Sequence, residues 1–137
     1  MGGSYDEGKF TTRRVMPIAA SGGISVPGTA SSTTELVRLV ILDSITIDAA
    51  RMVAMTGGTA AGPTVLLQKS LAGTGTATSF GTKAFGTAAD NAAFNFSPTS
   101  TTFVAGDHLI IANLAGTSAA TPKANITIGY LETFPTP

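Results

Sequence analysis

From residue 22 onward, short runs of β-branched and aromatic residues alternate with clusters of Gly, Pro, Ser and Thr. This is the punctuation of strands joined by turns. Ile24-Ser25-Val26 precedes a Pro27-Gly28 turn. Residues 34–42 (TELVRLVIL) carry two signals. Ser32-x-x-Glu35 matches a capping box, and Leu36, Leu39 and Val40 fall at helical spacing. The run is short and rich in Val and Ile, however, and leads into the alternating Ile45-Thr46-Ile47, so a strand is expected with a helix as the alternative. Residues 51–55 and 64–69 flank the glycine-rich segment 56–63 and read as an antiparallel pair joined by a loop. Val65, Leu67 and Lys69 then share one face, and Thr64, Leu66 and Gln68 the other. Residues 70–92 are of low complexity, with Phe-Gly-Thr at 80–82 and again at 85–87, and predict a long loop with an irregular edge strand. Three further strands are expected at 93–96, 109–113 and 125–132. In the last, Ile126, Ile128 and Tyr130 point one way and Asn125, Thr127 and Gly129 the other.

About seven or eight short strands with regular turn signals imply an all-β fold, a single-domain antiparallel β-sandwich with jelly-roll-like connectivity, or a small barrel. A chain of 13.7 kDa buries roughly two-thirds of its unfolded surface, enough for one core. The sandwich is assigned to residues 21–137 and an irregular N-terminal arm to 1–20. Gly2, Gly3 and Gly8 loosen this arm, and Asp6, Glu7, Lys9, Arg13 and Arg14 follow no period. Its Tyr5, Phe10, Val15, Met16 and Ile18 exceed the needs of a solvated tail. The arm is therefore either a frayed terminus or a segment that orders against a partner. On the second reading the partner-binding residues are Tyr5, Phe10, Arg13, Arg14 and Met16, with Arg13 and Arg14 pairing with acids of the partner.

Composition narrows the function more than any motif does. Charged residues make up 12% of the chain, about half the usual quarter, and eight basic side chains balance eight acidic ones. Zero net charge leaves no field to draw in nucleic acid or an anionic membrane, and Lys9-x-x-x-Arg13-Arg14 is shadowed by Asp6 and Glu7. The absence of Cys excludes disulfides, thiolate metal sites and a Cys nucleophile. The first ten residues lack the apolar core of an export signal, so synthesis in the cytoplasm is expected. The longest apolar run, 36–47, is interrupted by Arg38 and Asp43 and falls short of the roughly 20 residues of a membrane span.

No enzyme signature emerges. Gly57-x-x-x-x-Gly62-Pro63-Thr64 approximates a phosphate-binding loop, but Pro63 replaces the lysine and removes an N–H, and a strand follows where a helix is required. A Ser-His-acid triad could use only His108, which opens a strand after the turn Ala105-Gly106-Asp107 and suits a plain turn-flanking role. Asp107 suits an Asx-type turn whose carboxylate accepts neighbouring N–H groups. Asp43 and Asp48 are the nearest approach to a calcium pair, though acids at strand ends are commonly only solvated. No cofactor or metal is expected. Without Trp, and with only Tyr5 and Tyr130 as amphipathic aromatics, an aromatic sugar platform is poorly supplied.

Three stretches support a family comparison: 56–69 with its glycine loop, Phe103-Val104-Ala105-Gly106-Asp107-His108-Leu109-Ile110-Ile111, and Asn125-Ile126-Thr127-Ile128-Gly129-Tyr130. Small-residue-rich, cysteine-free and preceded by an irregular arm, the layout resembles the capsid decoration, or cement, proteins of tailed bacteriophages across most of residues 22–134. The resemblance implies a non-catalytic β-rich homotrimer, without cofactor, that clamps the major capsid protein on the capsid exterior. Independently, no charge lies between Arg51 and Lys69, and only Asp107 is charged from 91 to 122. Long uncharged Thr/Ala/Gly surfaces suit contact with copies of the chain or with a lattice. The alternative is a receptor- or carbohydrate-binding head of a phage tail fibre, with a pocket in the 70–92 or 113–123 loops.

Overall fold

A computed structural model describes residues 3–6, 9–27, 33–57, 62–72, 74–87, 89–114 and 122–135, and for 3–6, 9, 10 and 133–135 the backbone course alone. The described strands are β1 (Gly3–Asp6), β2 (Lys9–Ile18), β3 (Ile24–Ser25), β4 (Thr34–Val40), β5 (Ile45–Thr56), β6 (Thr64–Ser70), β7 (Ala77–Ala84), β8 (Ala93–Asn95), β9 (Thr101–Phe103), β10 (His108–Leu114) and β11 (Lys123–Pro135). They form two antiparallel sheets. The larger runs β1-β2-β11-β5-β8, with β3 beside β11 and β9 beside β5, and the smaller runs β4-β10-β6-β7. The all-β sandwich expected from the pattern is the fold.

The alternation in β11 sets the inner face of the larger sheet. Ile126 and Ile128 are buried there, flanked by Ile18 and Met16 of β2 and by Met52 and Ala50 of β5. Val65 and Leu67 of β6 and Leu109 and Ile111 of β10 supply the opposing layer of one continuous core. Fully burying one such aliphatic is worth about 1.5–3 kcal/mol. Phe80 of β7 meets Phe103 of β9 edge to face with ring centroids 5.7 Å apart, an aromatic contact between the sheets. Strands β6 and β10 are central, and Leu66, Ile110 and Ala112 form a second buried cluster on their outer side. Burial on both faces accounts for the unbroken apolar run at 109–112.

Two expectations change. Residues 51–55 and 64–69 do not form a hairpin, because β5 belongs to the larger sheet and β6 to the smaller. A glycine-rich connection between two apolar runs has the same composition whether it turns within a sheet or crosses to the facing one. Nor is the N-terminal stretch irregular over Lys9–Ile18. There β2 pairs with β11 over ten residues, from Ile18↔Ile126 to Lys9↔Pro135. Its alternation is hidden because Arg14 lies on the inner side beyond the core while Val15 faces outward, 66% exposed. Pro17 is accommodated because β1 pairs β2 only as far as Thr12, leaving the rest without a second neighbour among the described strands. Residues 34–42 resolve as strand through Val40, with the capping-box Ser32 outside the described residues.

Candidate interaction surfaces

One end of the sandwich is organised by Asp107, 2% exposed. Its Oδ2 accepts the Val104 N–H at 2.9 Å, and its Oδ1 accepts the Ala72 N–H at 3.3 Å. Its own N–H donates to Val104 O at 3.0 Å, and its carbonyl accepts the Ile41 N–H at 2.8 Å. Lys69 Nζ lies 3.6 Å from Oδ2, donates to Thr102 O at 2.6 Å and sits 5.3 Å above the Phe103 ring. The Val104 N–H, foremost, holds the Asp107 carboxyl below its ordinary range, with Ala72 N–H and Lys69 adding to this against the cost of burial. Gly106 has φ +94°, and a Cβ there would meet Ala72 Cβ at 3.3 Å, so the turn favours glycine on both counts. Asp107 thus performs the Asx-type role its sequence context suggested, and extends it across three turns. Each of those turns carries an exposed aliphatic: Leu42 at 81%, Leu71 at 54% and Val104 at 52%. Beside Leu42 lies Asp43, the one described carboxylate side chain without a hydrogen-bond or ion-pair partner.

The outer face of the larger sheet forms a second surface. Val15, Gly129 and Ala49 stand in one row across β2, β11 and β5, with Pro17, Thr127 and Arg51 in the next. A register shift between Gly129 and Tyr130 leaves Asp48 as an extra residue in β5. Arg13 reaches it from β2, with Nη2 2.5 Å from Asp48 Oδ2. The bare Gly129 makes room for that reach, since a Cβ there would lie 3.0 Å from Arg13 Nη1 and 3.1 Å from Ala49 Cβ. What remains is a shallow hollow of about 170 Å³ lined by Arg13, Val15, Ala49, Arg51, Thr127 and Gly129. Arg51 is exposed and, alone among the arginines, has no partner among the described residues.

Of the five arm residues, the described side chains of Arg13, Arg14 and Met16 do not share one face of β2. Arg13 faces outward to Asp48, whereas Arg14 faces the other way, with Nε 2.6 Å from Glu132 Oε2. Both guanidiniums therefore pair with acids of their own chain. Met16 is half-buried against the core and borders a groove of about 460 Å³ with Leu39, Leu42, Asp43 and Tyr130. Tyr5 and Phe10 stand opposite each other in the β1–β2 register, and their side chains lie outside the described residues. Sequence reasoning missed Arg51 and Gly129, whose importance comes from register across three strands. Leu42 sat in a run whose exposure no period revealed.

The outer side of β4 and β10 carries a third cluster. Arg38 donates through Nε and Nη2 to Glu35 at 3.0 and 2.5 Å, and its Nη1 lies 2.6 Å from His108 Nδ1. The Arg38 hydrogen bonds, foremost, lower the Glu35 pKa. His108 accordingly sits beside a cation, with no hydroxyl nucleophile joined to it among the described contacts. Asp48 is held by Arg13, and no group of three or more His, Asp or Glu among the described residues could hold a metal ion.

No protein-family model matches the sequence, and no curated protein matches it. Among solved structures, a chain from the structure of infectious bursal disease virus Gt strain is 11% identical, covers 90% of this chain and superposes with a TM-score of 0.47. A chain from the VP2 subviral particle of the same virus is 12% identical, covers 91% and gives 0.45. This chain spans 38% and 37% of the length of those two chains.

Proposed function

We propose that this protein is a virion structural protein that decorates and stabilises the exterior of a tailed-phage capsid by binding the lattice of its major capsid protein. The observation that carries this reading is a division of labour among side chains. Arg13–Asp48, Arg14–Glu132 and Lys69–Asp107 each tie strand or turn to strand within the chain, and Arg38 pairs with Glu35 along β4 itself. Leu42, Leu71, Val104 and Val15 meanwhile face outward on short turns and strands. Apolar groups held at fixed positions and charged groups engaged internally suit contact rather than chemistry. The strand order supports jelly-roll connectivity. With β1 and β3 set aside, and β8 and β9 taken as successive parts of one edge, two four-stranded sheets run 2-11-5-8/9 and 4-10-6-7. A homotrimer that forms in the host cytoplasm and then binds the capsid completes the proposal.

Adding the purified protein to capsids stripped of accessory proteins should place new density on their outer surface by electron microscopy. Bare capsids at saturating protein, together with specific binding on a glycan array, would replace this reading with the tail-fibre head module.

A further inference from the structure

We infer that copies of this chain associate head to tail, the Leu42–Asp43 turn of one seating in the Arg13–Arg51 hollow of the next. This rests on the self-associating part of the reading above and assigns its surfaces. The two surfaces differ within one chain and complement each other. The turn offers the most exposed large aliphatic of the described residues, Leu42 at 81%, next to the unpartnered carboxylate of Asp43. The hollow offers a floor of Gly129 and Ala49, a wall of Val15 at 66% exposure, and at its rim the unpartnered Arg51. Each copy therefore carries one unmatched acid beside an apolar projection and one unmatched arginine beside an apolar recess. A second copy supplies to each what its own chain does not. Such a contact is heterologous, so it closes into a ring when the rotation permits, as a trimer would require. Arg13, already engaged with Asp48, borders the recess without needing to change partner.

Both turn and hollow are preorganised. Asp107 ties the Ile41 backbone to the neighbouring turns, and the hollow lies on the ladder between β2, β11 and β5. Little conformational freedom is then lost on docking, which favours association through a small patch.

The test is sedimentation equilibrium of the full chain at micromolar concentration, with circular dichroism to confirm folding. Wild type should be oligomeric. Leu42→Ser should weaken association by about tenfold to a hundredfold, from loss of one buried aliphatic. Asp43→Arg and Arg51→Asp should each weaken it, and the double variant Asp43→Arg/Arg51→Asp should regain it. Because the chain has no cysteine, a Leu42→Cys variant mixed with a Val15→Cys variant should oxidise to a mixed disulfide dimer in preference to either homodimer. A monomeric wild type would overturn both this contact and the self-associating reading. An oligomeric wild type that all three single variants leave intact, or that cross-links Leu42→Cys to itself, would overturn this contact and leave self-association standing.

Discussion

At the scale of single residues, a nearly buried carboxylate is tolerated at 107 because backbone N–H groups and an ammonium face its oxygens. A carboxyl held below its unfolded value adds stability above the usual range near ~3.9, and loses it as pH falls through the folded value. Asp107→Asn should therefore lower Tm at neutral pH, and the gap from wild type should close below about pH 4. An equal gap at pH 7 and pH 3 in thermal melts would refute the assignment. Gly129→Val should fill the hollow and crowd Arg13 and Ala49, already 3.0 and 3.1 Å from a Cβ. Because Ala49 cannot swing aside as a long side chain would, stability in the melt should fall by more than the at most about 1 kcal/mol of the exposed Arg13–Asp48 pair. Self-association, read where circular dichroism shows the variant folded, should fall as well. Asp107 was legible from Ala105-Gly106-Asp107, since a Gly-Asp turn has local chemistry. Its reach to Ala72 and Lys69 was not, because those partners lie 35 and 38 positions away and meet only through the β6–β10 pairing.

At the scale of elements, β2 decides what the N-terminus is. Removing residues 1–8 spares every β2–β11 partner and should leave the melting transition nearly intact. Removing 1–20 strips β2 from β11 and uncovers Ile126 and Ile128, so the truncated chain should lose cooperative unfolding or fail to fold. A folded 21–137 fragment would restore the independent arm expected from sequence. Phe85 anchors the step from β7 back towards the larger sheet. It is 2% exposed, and its N–H donates to Pro63 O at 3.0 Å. Phe85→Ala should cost about 3–5 kcal/mol by denaturant titration, whereas a cost below 1 kcal/mol would place Phe85 outside the core. Strands β10 and β11 were readable because β10 is buried on both faces over 109–113 and β11 alternates between core and outer face over 124–128. The role of β2 and the placement of β5 and β6 in different sheets were not, since inward Arg14 and outward Val15 invert the pattern and a glycine-rich connector fits either route.

At the scale of the whole molecule, scarce charge has a structural counterpart. Most described acids and arginines are matched within the chain, while Asp43 on one surface and Arg51 on another lack a partner among the described residues and lie beside exposed aliphatics. If binding to a repeating lattice uses several linked copies, avidity multiplies a weak single contact by about 10²–10⁴. Weakening the contact between copies should then weaken capsid binding too. The central proposal, that this protein acts through its surfaces on a capsid, is tested most directly by cosedimentation with the cognate tailed-phage capsids that the proposal implies, stripped of accessory proteins. Wild type is predicted to pellet with them saturably, at a fixed ratio to the major capsid protein, and Leu42→Ser to need at least about tenfold more protein for half-saturation. Folded wild-type protein that stays in the supernatant at every concentration would contradict the claim.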